Sequence, residues 1–235
     1  MELKRDAIDV WKIRWRDVPA EDAVAFLTAE EREKAERFKI ADDRGRNIVA
    51  RAALRRLAAR YLGGDPGIIE TTAHGKPYWR DHADRLSFNV SHSGEWVLIA
   101  FAPGARIGVD VQEIDGGPRF RGEKVVKYAY HPAEKDAVEA CPEAEKRDLF
   151  YGIWTCKEAV IKAAGLGLHG ELEKFNILPL PNEEEWTSIN SHNILNDTGG
   201  LICRALAVDA QHKGALAVDG FEKSCKINIF GDFAL

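Results

Sequence analysis

Apolar and polar residues follow two different periods along this chain, and the two periods alternate. Runs that alternate at every second residue, such as "LSFNV" and "IGVDVQEI", predict β-strands, and so does the short continuous apolar run in "EWVLIAF". Segments with an apolar residue about every 3.6 positions predict helices. Two of these are long: one runs through residues 44–60 and ends at Gly63-Gly64, and the other is "EKRDLFYGIWTCKEAVIKAAG", which ends at Gly165 and Gly167. The order helix, long helix, strand pair therefore occurs twice.

Local signals add detail at several element ends. Thr28 followed by Glu31 matches the S/T-x-x-E capping box, which predicts the start of a helix. Asp42 or Asp43 is the predicted cap of the arginine-rich helix that follows. Glycine and proline make "HGKPYW" a predicted loop, and "SHSG" is the predicted turn between two strands.

The repeated order predicts an α+β fold made of two similar halves. The predicted boundary lies between residues 105 and 106, so the halves are residues 1–105 and 106–235. Each half contains the elements needed to cover a sheet with a helix. We expect the two halves to pack face to face, with any ligand in the cleft between them.

The length, composition and charge of the chain exclude several classes of protein. With 235 residues, 45% of them hydrophobic, the chain can bury a full core, but its longest apolar run, "WVLIAFA", is far too short to span a membrane. The N-terminus has no secretory pattern, which predicts a cytoplasmic protein, and four scattered cysteines argue against a zinc site or disulfides. A net charge of -5 argues against nucleic-acid binding, although six arginines in residues 44–60 form a local basic segment.

The second long helix carries an unusual set of charges. Lys157 projects from the middle of its apolar arc, while Glu158 and Lys162, one turn apart, lie together on the edge of that arc. A lysine in an apolar arc meets either the core or a cleft.

The strand "IGVDVQEI" offers two oxygen donors on one face. A period of two places Asp110 and Gln112 on the side opposite Val109 and Val111. Together with Glu158 they match the oxygen ligands that magnesium takes when it also holds substrate phosphates. The alternative is that Asp110 is an exposed strand residue and that Glu158 only pairs with Lys162.

Several polar groups are candidates for phosphate contacts. Ser91 and His92 lie in the predicted turn and Lys76 in the predicted loop, where each is also an ordinary solvent-exposed residue type. The arginines of residues 44–60 do not share one helical face, so we expect only one or two of them to meet a ligand. Neither a G-x-S-x-G elbow nor a glycine-rich phosphate loop occurs, which argues against a serine hydrolase and a P-loop protein.

Four motifs together resemble the 4'-phosphopantetheinyl transferases of the large, Sfp-like group. They are "GKPYW", "FNVSHS", "GVDV" and "WTCKEAVIKAAG", in that order and at matching spacing across nearly the whole chain. The resemblance implies a pseudo-dimeric monomer with its active site between two α+β halves. It also implies a magnesium-dependent transfer of the phosphopantetheine arm of coenzyme A onto a serine of an acyl, peptidyl or aryl carrier protein, with release of adenosine 3',5'-bisphosphate.

The resemblance also implies roles for single residues. Asp110 and Glu158 match the metal-binding acids. Contacts to the phosphates of coenzyme A are implied for Lys162, Ser91, His92, Lys76 and Arg46, with Arg51 and Lys157 as weaker matches. The resemblance also implies that the charged edge of the second long helix lines the active-site cleft, in which Lys157 reaches solvent or substrate. In the transfer reaction, Glu158 or a water beside it is the candidate base and Lys162 the group that stabilises the departing phosphate.

Two further expectations concern Gln112 and the carrier protein. The bacterial prototype of the group has an acid where this chain has Gln112, so the metal site is expected to be weaker. A coenzyme A-binding regulatory paralogue without transfer activity is therefore the alternative function. An unrelated acyltransferase is disfavoured because acyl transfer from coenzyme A needs no magnesium.

Carrier proteins of this kind are acidic. The basic candidates for docking one are Arg119, Arg121, Lys124 and Lys127, and the alternative is that these residues are simply solvated.

Overall fold

The chain folds into two compact units of mixed helix and sheet, as the predicted α+β class requires. The computed structural model describes residues 3–117, 122–167, 172–190, 200–231 and 233–234. The first unit comprises Met1–Glu70, Pro77–Gly104 and Cys225–Leu235, and the second comprises Thr71–Lys76 and Ala105–Ser224. Residues 71–76 belong to the second unit and residues 225–235 to the first, whereas the sequence pattern predicted one boundary between residues 105 and 106.

The first unit is built on a four-stranded sheet. Its strands are β1 (Ala7–Arg14), β4 (Ser87–Ser93), β5 (Trp96–Ala102) and β10 (Lys226–Phe230), and its helices are α1 (Ala20–Ala23), α2 (Ala29–Glu36) and α3 (Ala41–Leu62). A two-stranded ribbon is formed by β2 (Ile69–Thr71) and β3 (Pro77–Trp79). The sheet order is β10-β1-β5-β4. Because β10 pairs in parallel with β1, the last strand of the chain belongs to the first unit.

The helix boundaries of this unit follow local chemistry with one exception. The capping box is confirmed, since the Thr28 side chain accepts from Glu31 N and the Glu31 side chain accepts from Thr28 N. The predicted aspartate cap of α3 is wrong: the cap position is Ile40, with no side-chain cap, and the aspartates lie in the first turn. There they still favour the positive end of the helix dipole. The helix ends as predicted at Gly63, whose φ is 75°.

The predicted loops are shorter than the sequence suggested. Ser91 to Ser93 continue β4, and the tight turn consists of Gly94 and Glu95, because Ser93 pairs directly with Trp96. Gly94 has a φ of 54°, which a two-residue hairpin turn of this kind requires. In "HGKPYW" the last three residues form β3, so the loop covers only the first three.

The second unit has the same components in another order. Its strands are β6 (Ile107–Glu113), β7 (Thr187–Ile189), β8 (Leu201–Asp209) and β9 (His212–Asp219), and its helices are α4 (Glu123–Ala129), α5 (Pro132–Ala140) and α6 (Glu143–Ala164). The sheet is antiparallel, in the order β6-β9-β8-β7. Helix α6 packs on it, and its Ile153 and Val160 share a core with Ala215 and Ala217 of β9. This packing brings α6 against β6, where the candidate site lies.

The helices of the described ranges are not membrane spans. No helix in these ranges is both long enough and apolar enough to cross a bilayer.

Candidate functional site

Helix α6 and strand β6 approach each other unusually closely, and the contact point is Gly108. A Cβ atom at Gly108 would overlap the backbone oxygen of Ala159 and the backbone nitrogen of Ala163, and it would lie 2.9 Å from the carbonyl carbon of Lys162. Glycine inside a strand often marks such a close approach of two backbones. Asp110, two residues further along the same face of β6, is thereby brought to the α6 turn that carries Glu158 and Lys162.

The structure brings Asp110, Glu158 and Lys162 into one cluster. Lys162 Nζ lies 2.6 Å from Asp110 Oδ1 and donates to Val109 O at 3.3 Å. Asp110 is 1% exposed and Glu158 9% exposed, whereas 28% of the Lys162 side chain is accessible. The simple alternative from the sequence, an exposed Asp110, is therefore wrong. Lys162 is thus the ion-pair partner of the buried Asp110, and it also acts electrostatically on the buried Glu158.

Gln112 lies beside Asp110 with its amide turned toward it. Gln112 Nε2 donates to Asp110 Oδ2 at 3.0 Å, so the amide presents donor hydrogens to the carboxylate in this arrangement. Both oxygens of Asp110 thus accept hydrogen bonds, one from Lys162 and one from Gln112. A cation bound to Asp110 has to compete with these two donors.

The electrostatics of the cluster favour an additional positive charge. Burial and the neighbouring Asp110 raise the pKa of Glu158, while Lys162 acts in the opposite direction. Carboxylate and amide oxygens are the donors that magnesium takes in proteins, so this donor set fits the ion. Within the described ranges no three His, Cys, Asp or Glu side chains gather as ligands. The candidate metal site therefore consists of Asp110 and Glu158, with Gln112 as the third predicted ligand.

Lys76 lies next to this cluster, and it is not the solvated loop lysine that the sequence left open. Its ammonium donates to Ile107 O at 3.0 Å and to Ala163 O at 2.9 Å. Burial, and to a lesser extent the charge of Arg106, lower the pKa of Lys76 to about 8. Lys76 therefore joins the start of β6 to the end of α6.

This lowered pKa predicts a pH effect on stability. The unfolded lysine has the ordinary pKa of 10.5, so between about pH 8 and pH 10.5 the unfolded chain binds more protons than the folded chain. We therefore expect wild-type stability relative to Lys76→Met to rise as the pH rises through this window. Urea unfolding of both proteins at several pH values measures the difference, in which other titrating groups cancel. A difference that stays flat across the window would contradict the prediction.

The structure contradicts the interpretation that Lys157 reaches solvent or substrate. Its side chain is fully buried, and its ammonium lies 2.9 Å from Glu134 Oε2, a carboxylate that is itself fully buried. It also donates to Leu172 O and Phe175 O, both at 2.7 Å. The apolar arc of α6 thus meets a buried ion pair supplied by α5. In this arrangement Lys157 is an internal anchor and does not contact a substrate.

The remaining phosphate-binding candidates belong to the first unit. Arg46 on α3 lies 3.3 Å from Asp43, and its guanidinium is 6.0 Å from the ring of Trp15. Trp15 Nε1 donates to Gly94 O at 3.1 Å, so it links α3 to the turn that follows Ser91 and His92.

The other three candidates of this unit differ in exposure. Ser91 is buried and His92 exposed, as neighbours on one strand are. Arg51 is partly buried, which lowers its pKa. The roles of these side chains toward a ligand stay predictions.

Two residues that matter for the site were missed by sequence reasoning. Gly108 was visible as a glycine inside a predicted strand, a signal that indicates a close backbone approach. For Glu134 the only signal in the sequence was its position in the first turn of a helix, where it forms a capping box with His131. No local pattern links it to Lys157, which is 23 positions further along the chain.

Two buried carboxylates beside a partly exposed lysine are groups that suit a divalent cation and a phosphate-bearing substrate. Two protein-family models match the chain. Residues 106–206 match the model of the 4'-phosphopantetheinyl transferase superfamily. Residues 13–104 match the model described as 4'-phosphopantetheinyl transferase, N-terminal.

Individual relatives establish the family. The 4'-phosphopantetheinyl transferase HetI of Nostoc sp. is 32% identical over 190 residues, which cover 78% of each chain. The 4'-phosphopantetheinyl transferase Sfp of Bacillus subtilis is 31% identical over 156 residues, 66% of this chain and 67% of that one. A rat L-aminoadipate-semialdehyde dehydrogenase-phosphopantetheinyl transferase is 28% identical over 71% of this chain and 58% of its own. The chain belongs to the 4'-phosphopantetheinyl transferase superfamily, which confirms the resemblance of its motifs.

Proposed function

We propose that this protein transfers the 4'-phosphopantetheine arm of coenzyme A to a serine hydroxyl of an apo carrier protein, in a magnesium-dependent reaction that releases adenosine 3',5'-bisphosphate. The observation that carries the proposal is the buried pair Asp110 and Glu158 with Lys162 2.6 Å from Asp110. Family membership supports the reaction class. The magnesium requirement rests on the donor set alone.

In this proposal the groups of the cluster have distinct tasks. Asp110 and Glu158 would hold the magnesium ion, which would supply positive charge next to the pyrophosphate of the substrate. Glu158, or a water beside it, is the candidate base for the serine proton. The Lys162 side chain is partly exposed at the edge of the cluster, where its ammonium would stabilise the departing phosphate. Most of the rate enhancement then comes from positioning and electrostatics.

Gln112 supports the alternative of a coenzyme A-binding protein without transfer activity. It brings no negative charge to the metal site, and its amide donates a hydrogen bond to Asp110. If this arrangement keeps magnesium out, the protein binds the nucleotide and does not turn it over. One experiment separates the two functions.

That experiment is the intact mass of an apo carrier protein after incubation with this protein, coenzyme A and magnesium. A gain equal to the phosphopantetheine arm, prevented by EDTA, supports the proposal. No gain with acyl, peptidyl and aryl carriers, despite binding of coenzyme A, supports the regulatory alternative. The same assay identifies the carrier class, for which the fatty acid, polyketide and nonribosomal peptide pathways are the candidates.

Glu158→Gln tests the assigned site in this assay. We expect transfer to fall by roughly 100-fold or more, because the variant loses the negative charge of a metal ligand and cannot accept the serine proton. The fold should survive: since burial beside Asp110 raises the pKa of Glu158, its ionised form is disfavoured in the folded protein. The melting temperature without magnesium should therefore equal or exceed that of the wild type. Near-normal turnover would contradict the assignment.

We further propose that the carrier protein docks on α4. Lys124 and Lys127 are exposed there, and Tyr128 is 70% exposed with the Lys127 ammonium 5.2 Å from its ring centre. Two cations beside an exposed aromatic ring suit an acidic partner with an apolar patch. The other two predicted docking residues, Arg119 and Arg121, lie outside the described residues.

Charge reversal tests this surface. Lys124→Glu with Lys127→Glu should raise the KM for the carrier about tenfold and leave the KM for coenzyme A unchanged, because only the carrier meets α4. Lys223→Glu, an exposed lysine elsewhere in the same unit, is the matched control. Equal effects on both substrates, or none on the carrier, would show that α4 is a solvated helix. A cytoplasmic location and a monomeric state stay predictions from the sequence.

A further inference from the structure

We propose that Lys76 is a positioning residue: its ammonium clamps the start of β6 to the end of α6 and thereby sets Asp110 against Glu158. This inference rests on the proposed function, because it assigns Lys76 to the geometry of that site. It differs from the role implied by family resemblance, in which Lys76 only contacts a phosphate of coenzyme A. The two hydrogen bonds of its ammonium to backbone carbonyls are the starting point.

The first bond reaches the side of β6 that faces away from its neighbour β9. β6 is the first strand in the sheet order β6-β9-β8-β7. Arg106 O accepts from Asp219 N at the end of β9, and successive carbonyls of a strand point in opposite directions. Ile107 O therefore points away from β9, and Lys76 donates to it at 3.0 Å. Ile107 is three residues before Asp110.

The second bond reaches the last turn of α6. The final four carbonyls of a helix have no partner inside the helix, and a cation at this end also favours the helix dipole. Ala163 O is one of these carbonyls, and Lys76 donates to it at 2.9 Å. Ala163 directly follows Lys162 and is five residues after Glu158. The two carbonyls lie near the Gly108 contact, so the clamp acts where β6 and α6 touch.

The loop that carries Lys76 is built to hold it in this place. Thr72 O accepts from Gly75 N, and Thr72 Oγ1 accepts from Lys76 N, which closes a tight turn around a Gly75 φ of 84°. The glycines after α6 make room for this turn. A Cβ at Gly165 would lie 3.3 Å from Lys76 Cδ, and one at Gly167 would lie 2.8 Å from His74 O. The turn that carries Lys76 and the residues that follow α6 are therefore in close contact.

The clamp has a consequence that a phosphate ligand does not have. A residue that only binds coenzyme A has no effect on the protein without its substrates. A clamp orders the end of α6 and the start of β6 in the free protein, and its loss misaligns the acids even at saturating coenzyme A. A misplacement of about 1 Å at reacting groups can lower a rate by about 100-fold.

The test compares Lys76→Met with the wild type by two readouts. Amide hydrogen exchange of the protein without nucleotide and metal should become faster in the last turn of α6 and at the start of β6, and stay unchanged in α3. In the transfer assay, kcat should fall at least tenfold, with a smaller change in the KM for coenzyme A. Lys76→Arg retains a charged donor and should recover part of both effects. Lys223→Met is the control for removing a lysine from this unit.

Each outcome bears on the clamp directly. A rise in the KM for coenzyme A with normal kcat and unchanged amide exchange would overturn it in favour of a phosphate ligand, and unchanged exchange with unchanged kinetics would overturn both roles. If the wild type transfers nothing, the proposed function fails by itself, and the exchange data still test the clamp. If Lys76→Met does not fold, the comparison is made with Lys76→Gln, whose shorter, uncharged side chain cannot reach both carbonyls. Wild-type exchange and kcat in that variant would overturn the clamp.

Discussion

Replacing Gly108 with alanine should remove transfer activity and destabilise the protein. The new methyl group would overlap backbone atoms of Ala159 and Ala163 and would lie 2.9 Å from the carbonyl carbon of Lys162. These are atoms of the helix backbone, so no side-chain rotation can relieve the clash. Helix α6 has to move away from β6, and Glu158 and Lys162 then leave Asp110.

The shift of α6 has two consequences, a loss of stability and a loss of transfer rate, and the size of each can be predicted. Overpacking a dense interior costs about 1–3 kcal/mol, and a backbone clash belongs at the upper end of that range. Misalignment of the acids should lower the transfer rate by roughly 100-fold. Urea unfolding and the carrier mass assay measure the two effects. Gly200→Ala is the matched control, because nothing lies within 4 Å of a Cβ there. Activity within twofold of the wild type would show that the close approach at Gly108 is not required.

Lys157→Met should be strongly destabilising, with little connection to substrate binding. The variant leaves the Glu134 carboxylate fully buried without its counter-charge, and it leaves Leu172 O and Phe175 O without their donor. Removing one partner of a buried ion pair costs about 3–5 kcal/mol. We expect a loss of this size in the free energy of unfolding at neutral pH, measured with urea.

Two variants make this prediction specific. Adding Glu134→Gln to Lys157→Met should recover part of the loss, because the amide oxygen still accepts a hydrogen bond and no unpaired charge remains. Lys146→Met is the matched control on the same helix: its partner Glu143 is exposed, so stability should change little. If Lys157→Met instead kept its stability and lost transfer, Lys157 would be a substrate ligand, as the family resemblance implied.

The contrast between Lys157 and Lys162 shows what helical periodicity can and cannot predict. It placed both lysines on the correct sides of α6, Lys157 in the apolar arc and Lys162 on its edge. It did not distinguish a core from a cleft, because the pattern of one helix contains no information about what covers it. Glu134 covers Lys157 from another helix, and Asp110 meets Lys162 from a strand. Each of these pairings spans a sequence separation that no local pattern records.

The same limit explains the differences in the fold. Short-range signals were sufficient for the capping box at Thr28, the end of α3 at Gly63 and the existence of strand β6, because each depends on neighbours within a few residues. The assignment of β10 to the first unit depends on parallel pairing with β1 from the opposite end of the chain. Such pairing is selected by how whole sheets bury their faces.

For this protein, then, the sequence by itself determined the α+β class, the two long helices and the acids and lysines that identify the family, since periodicity and motif spacing are local properties. Only the tertiary structure decided that Gly108 lets β6 touch α6, that Lys157 is an anchor inside the core, and that Lys76 bonds two backbone carbonyls. The physical reason is the same in each case: burial and close contact depend on residues that are distant in sequence and adjacent only after folding.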